Sequence, residues 1–149
     1  MESQFKQRLG SMLFHAGKID KDQLEKSLQI QKEDQGYLGQ IFLSNGYISE
    51  EDLYLNLSRQ LKIPFLRLGT FKNDENLLKL FTESQIRTHK IFPLFKLNQS
   101  LNIAVSDPLD ASPINFAREV SGLKVEPIIA YASEIESSID LHYGISSFI

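Results

Sequence analysis

Few residues in this chain could act on a covalent bond. The three histidines, His15, His89 and His142, stand alone, with no His or carboxylate at metal-ligand spacing. Asp107 and Asp110 pair two carboxylates, but beside Pro108 they fit turn formation better than acid–base work. There is no GxxxxGK(S/T) loop to cradle a triphosphate, no GxGxxG after a strand pattern and no GxSxG nucleophile elbow. The absence of cysteine excludes disulfides, thiolate zinc sites, iron–sulfur clusters and a cysteine nucleophile. These residue types point to recognition, so no enzyme activity, metal or cofactor is expected.

The N-terminal part of the chain comes in duplicate. A shift of 29 residues lays Leu9-Gly10 on Leu38-Gly39, Gly17 on Gly46 and Ile19 on Ile48. It also lays Leu24 on Leu53, Leu28 on Leu57 and Gln31 on Gln60, while Met12-Leu13-Phe14 falls on Ile41-Phe42-Leu43. The identities fall on the Gly, Leu and Gln positions that set turns and helix faces, which marks an internal repeat.

Local chemistry gives each repeat the same elements. A short apolar helix is expected to close near Gly17 or Gly46, where glycine takes the left-handed conformation readily. Asp20 and Ser49 stand as N-caps, with Gln23 and Asp52 at the capping-box position. Steps of four and three then keep Leu24, Leu28 and Gln31, or Leu53, Leu57 and Gln60, on one face of the next helix. The fold class read from this pattern is α+β. Residues 1–62 form an all-helical subdomain of two tandem helix–turn–helix units, and residues 63–149 form a small α/β subdomain.

In the second part, Ile63-Pro64-Phe65-Leu66 reads as an extended connector. Residues 74–88 fit one or two short helices, with Leu77, Leu78, Leu80, Phe81 and Ile86 inward. Ile91 to Leu97 and Leu101 to Val105 read as a hairpin, Ala111 to Val120 as a helix and Lys124 to Ala130 as a strand. A last helix, Ser133 to Tyr143, is expected to be capped by Ser133.

Composition narrows the partners. Sixteen basic against 19 acidic side chains leave a net charge of -3, which argues against general DNA or RNA binding. A small anionic ligand remains open, because it needs only one or two placed cations. The 10 Phe and 5 Tyr argue for a folded core. No stretch approaches the roughly 18–20 apolar residues that span a bilayer, and the polar start from Met1 to Gly10 is unlike a secretory signal. A cytoplasmic protein without membrane insertion is expected.

The run Arg8-Leu9-Gly10, Leu13-Phe14, Gly17, Ile19, Leu24, Leu28, Gln31 resembles the motif of the MshEN domain. That domain is the N-terminal region of type II secretion and type IV pilus assembly ATPases. In the family two such motifs stand in tandem across a short spacer. Here they occupy 8–31 and 37–60, with Lys32 to Gly36 between. The second part resembles the family at Ile63-Pro64-Phe65, at His89-Lys90-Ile91-Phe92-Pro93-Leu94, at Ile103 through Asp110 and at Gly122 through Pro127.

The resemblance implies recognition of cyclic di-GMP by the helical subdomain. The implied ligand-binding residues are Arg8, Leu9, Gly10, Leu24, Leu28 and Gln31 in the first motif. In the second they are Tyr37, Leu38, Gly39, Leu53, Leu57 and Gln60, with Asp107 added from the α/β subdomain. A two-fold symmetric ligand suits a duplicated unit, and the leucines could lie against guanine faces. Gly10 and Gly39 would let backbone approach the ligand, and Arg8 could fork onto guanine O6 and N7 or onto a phosphate. Asp107 could accept from guanine N1 and N2, or serve as a turn aspartate. The second motif opens with Tyr37 where the family often has a basic residue. Tyr37 can stack on a base but offers no charged fork. The same leucines would also serve as helix core.

Family members commonly continue into a hexameric ATPase, whereas this sequence ends at Ile149 without a P-loop. A sensor domain of a larger ATPase or a free-standing adaptor is therefore expected, and neither would hydrolyse ATP. The implied partners are cyclic di-GMP and either the ATPase or a membrane-anchored cytoplasmic component of the machine. The alternative is a protein–protein docking module of a secretion or pilus machine that binds no nucleotide.

Overall fold

Duplicated helix signals produce duplicated helix ends. The computed structural model describes residues 2–34, 38–69 and 71–144, with side chains described from Leu9 onward except at Asp34. The chain divides into two compact units, Met1–Lys62 and Ile63–Ile149. The first contains α1 (Glu2–His15), α2 (Lys21–Asp34), α3 (Leu38–Ser44) and α4 (Glu50–Leu61).

Both first helices close in the same way. Gly17 and Gly46 have φ of 74° and 69°. Gly17 N–H donates to Phe14 O at 3.0 Å and Lys18 N–H to Leu13 O at 2.9 Å. The equivalents are Gly46 N–H to Leu43 O at 3.1 Å and Tyr47 N–H to Phe42 O at 2.9 Å. This paired bonding is the Schellman closure, which satisfies carbonyls that the helix leaves orphaned. The helices that follow are capped as expected. Gln23 N–H donates to Asp20 Oδ1 at 2.7 Å while Asp20 N–H donates back to Gln23 Oε1 at 2.9 Å. Asp52 N–H donates to Ser49 Oγ at 3.1 Å.

The repeat extends into the core. Leu9 and Leu38, Leu13 and Phe42, and Ile19 and Ile48 are all buried. Two units that are each too small to bury an apolar stripe alone thus cover one another: α1 packs on α3 and α4, and α2 packs on α3.

The second unit holds a 3₁₀ turn (Glu75–Leu80), α5 (Glu83–His89), β1 (Phe92–Leu97), β2 (Ser100–Val105), α6 (Ser112–Ser121), β3 (Lys124–Ile129) and α7 (Ala132–Tyr143). Asn98 and Gln99 both take positive φ, 49° and 71°, giving the two-residue turn that matches strand twist in a hairpin. The sheet order is β1-β2-β3, with β1–β2 antiparallel and β2–β3 parallel across α6. Pro93 sits on the edge strand, where the lost N–H breaks no interior ladder. The connector read as extended lies beside the end of β3: Leu66 N–H donates to Ile129 O at 2.9 Å, and Ile129 N–H to Pro64 O at 2.8 Å. Leu101, Ile103, Val125, Ile86, Ala117 and Ile135 meet in one core.

Two local expectations are corrected. Leu80 faces outward, 39% exposed, because the chain leaves the 3₁₀ turn there and the extended Phe81 takes the inward place. Helix α7 begins at Ala132 with Tyr131 as its N-cap residue and no side-chain cap, so Ser133 lies inside the first turn.

Glu134 in that first turn is committed elsewhere. Arg67 Nε and Nη2 donate to its carboxylate at 3.1–3.2 Å, and the buried Leu68 N–H donates to Oε1 at 3.0 Å. The Arg67 hydrogen bond, then the Leu68 amide, hold the carboxyl below its ordinary range against the opposing effect of burial. A carboxylate with a lowered folded pKa contributes stability above its unfolded value of about 4.3 and loses it as pH falls through the folded value. Chemical denaturation from pH 7 downward is expected to show the second unit weakening below about pH 4.3. Glu134→Gln should lower stability at pH 7 and flatten that acid limb.

Candidate ligand-binding site

The repeated glycines define where each pair of helices meets. A Cβ at Gly10 would lie 2.7 Å from Leu24 Cδ1 and 3.2 Å from Leu38 Cδ2. A Cβ at Gly39 would lie 3.3 Å from both Leu53 methyls. In each motif, therefore, the glycine makes room for the first leucine of that motif's second helix. At both positions a leucine packs where a Cβ would stand, which fixes the orientation of α2 on α1 and of α4 on α3.

Leu9 and Leu38 are core residues on the first helices. Leu24, Leu28 and Gln31 line α2 and are half-buried. Their equivalents on α4 are Leu53 and Leu57, both buried, and the half-buried Gln60. Arg8 lies in α1, with its side chain outside the described set, and Tyr37 lies outside the described residues. Asp107 belongs to the second unit and is half-buried; its Oδ1 accepts from Leu109 N–H at 3.0 Å. Asp110 Oδ1 accepts from Ser112 N–H at 3.0 Å and Ser112 Oγ at 2.8 Å. Both aspartates thus hold the turn into α6, as the sequence around Pro108 suggests.

One pair of positions was missed by the sequence reading. Ser27 and Asn56 are equivalent under the 29-residue shift, and both are buried. Asn56 Nδ2 donates to Asp52 O at 2.6 Å, whereas Ser27 Oγ has no hydrogen-bond partner among the described residues. The available signal was a polar residue directly before the second leucine of each motif, on the face that turns inward.

The histidines are engaged with aromatic rings. His89 stacks on Phe116 with centroids 3.7 Å apart, and His15 and His142 meet Phe14 and Tyr143 edge-on. Among the described residues, no three metal-ligating side chains gather, and no helix is long and apolar enough to cross a membrane.

Residues 61–147 match the MshEN domain. The chain belongs to the MshEN domain family. The matched stretch begins at the last residue of α4 and takes in the α/β unit, so the tandem motif at 8–31 and 37–60 precedes it. Relatives matching over nearly the whole chain include the type IV pilus assembly ATPases PilB of Myxococcus xanthus (strain DK1622), 26% identical over 92% of this chain, and of Acinetobacter baylyi (strain ATCC 33305 / BD413 / ADP1), 26% identical over 88%. The chain spans 24% and 23% of those proteins.

Among solved structures, MshE with cdg (cyclic di-GMP) superposes with a TM-score of 0.83 at 28% identity, covering 91% of this chain and 98% of the other. The N-terminal domain of XpsE superposes with a TM-score of 0.71 at 18% identity, covering 90% of this chain and 92% of the other, and shares the fold. The MshEN member described here is thus an α+β domain similar to part of the type IV pilus assembly ATPases it matches.

Proposed function

We propose that this MshEN domain is a receptor for cyclic di-GMP, acting by binding and not by chemistry, within a type IV pilus or type II secretion machine. The observation that carries the reading is the likeness to MshE with cdg, 28% identical over nearly all of both chains. It gains support from a repeat whose glycines, caps and leucines occupy equivalent structural positions. In this reading the first motif contributes Arg8, Leu9, Gly10, Leu24, Leu28 and Gln31. The second contributes Tyr37, Leu38, Gly39, Leu53, Leu57 and Gln60. Output passes, on the cytoplasmic side, to the ATPase or to a membrane-anchored component, because a ligand biases a conformational equilibrium by its differential affinity.

A docking module without nucleotide is the second reading, favoured by Tyr37 and by the burial of Leu53 and Leu57. Thermal unfolding separates the two. Cyclic di-GMP at about 100 times its Kd should stabilise a receptor by about 2.7 kcal/mol, raising the Tm by about 5–10 °C. GTP and cyclic di-AMP should leave the Tm unchanged. An unmoved Tm at millimolar cyclic di-GMP would favour the docking module.

A further inference from the structure

One face of the sheet in the second unit is covered over only part of its length. Residues paired across strands project to the same side. On this face Phe92, Ala104 and Ile128 form a row towards the carboxyl end of β2, and all are buried; α7 packs on β1 and β2. Towards the hairpin the same face carries the row Phe95–Asn102–Glu126 and then the row Leu97–Ser100–Lys124. Here the cover stops. Leu97 is 59% exposed, Phe95, Asn102 and Ser100 are half-buried, and Glu126 and Lys124 are exposed.

The order of side chains in these two rows is self-complementary. Lys124 and Glu126 carry opposite charges two residues apart on β3, with side chains 72% and 48% exposed. Leu97 and Phe95 stand at the same interval on β1. A two-fold axis lying across the strands, midway between the rows, carries each row onto the other row of a second copy. Lys124 then faces Glu126 of the second copy and Glu126 faces its Lys124. Leu97 meets Phe95 in both directions, and Ser100 meets Asn102. A two-fold contact requires this property, because one patch must serve both sides. The axis also leaves the strands of the two copies aligned and antiparallel, a usual geometry for sheets packed face to face.

We propose that this open half-face pairs with the same face of a second copy, forming a two-fold dimer through the α/β unit. The loose pair within one chain, Lys124 Nζ to Glu126 Oε1 at 3.7 Å, is exchanged for two pairs between chains. The two rows cover about 200 Å² of sheet at a strand spacing of about 4.8 Å, below the roughly 800 Å² per partner of a stable dimer. The association is therefore weak and reversible, with a Kd on the order of 0.1 mM. It is independent of the cyclic di-GMP reading.

Sedimentation equilibrium of the full chain from about 10 µM to about 1 mM is the test, and a reversible monomer–dimer equilibrium is expected. Lys124→Glu alone and Glu126→Lys alone each set like charges opposite one another at both pairs. Either should weaken dimerisation by at least about tenfold. Mixed in equal amounts, the two variants regain both attractive pairs, so a heterodimer as tight as the unsubstituted dimer is expected. Leu97→Asp should abolish association. The substituted side chains are exposed, and circular dichroism should show every variant folded. A monomer at all concentrations would overturn the proposal and leave the face to a different partner. A dimer indifferent to Leu97 and to the charges, or mixed variants that fail to associate, would overturn it as well.

Discussion

Phe42→Ala is expected to unfold the helical unit under conditions in which the α/β unit stays folded. Phe42 is fully buried on α3, at the position Leu13 occupies on α1. Truncating a buried Phe to Ala costs about 3–5 kcal/mol, through lost transfer free energy and the cavity left behind. A unit of about 60 residues has only about 3–9 kcal/mol of stability at ordinary per-residue values, so the loss approaches the whole. Urea denaturation followed by helical circular dichroism should show the first-unit transition moved to low denaturant, with the second little changed. Phe42→Leu, which copies the first repeat, should recover most of the loss. A change below about 1 kcal/mol for the alanine variant would show that Phe42 does not anchor the core.

The other large effect concerns recognition. Arg8→Ala combined with Leu28→Ala is expected to weaken cyclic di-GMP binding by about 100-fold or more while leaving the fold intact. Leu28 contributes open apolar area, at about 25 cal/mol per Å² covered. In the receptor reading Arg8 supplies a charge-assisted hydrogen bond, of a class worth about 1.5–3 kcal/mol. Covering about 40 Å² on Leu28 adds about 1 kcal/mol, so the two together span the roughly 2.7 kcal/mol that a 100-fold change represents. Calorimetric titration of the double variant, with circular dichroism to confirm the fold, measures the effect. Unchanged affinity would reject this site.

The parts of the architecture that were legible in the sequence are those fixed by local chemistry. Gly17 and Gly46 close helices because little else takes positive φ freely, and Asp20 and Ser49 cap because their oxygens reach the N3 amide. The hairpin was legible for the same reason, since the polar Asn98 and Gln99 separate two apolar runs. The start of α7 was not legible, because the chain turns helical at Ala132 without any side-chain cap, and Ser133 falls two residues past the N-cap residue Tyr131. Nor was the role of Glu134, whose carboxylate reaches Arg67 and the Leu68 amide far back along the chain.

The site shows the same division. Spacing alone places Leu24 and Leu28, or Leu53 and Leu57, on one face of a helix. Which pair is covered depends on how α1 and α3 pack against α2 and α4, and no periodicity encodes that. The glycines carry a packing role that spacing does not reveal: Gly10 and Gly39 each admit a leucine of their own motif. Membership in the MshEN family rests on the second unit, where residues 61–147 carry the match. The duplicated motif lies in the first.

Isothermal titration of the purified chain with cyclic di-GMP, with GTP and cyclic di-AMP as controls, tests the receptor reading most directly. Saturable one-to-one binding to cyclic di-GMP alone, at micromolar or tighter affinity, is the predicted result. No heat change at any ligand concentration, with the chain folded, would contradict it and leave the domain as a docking module.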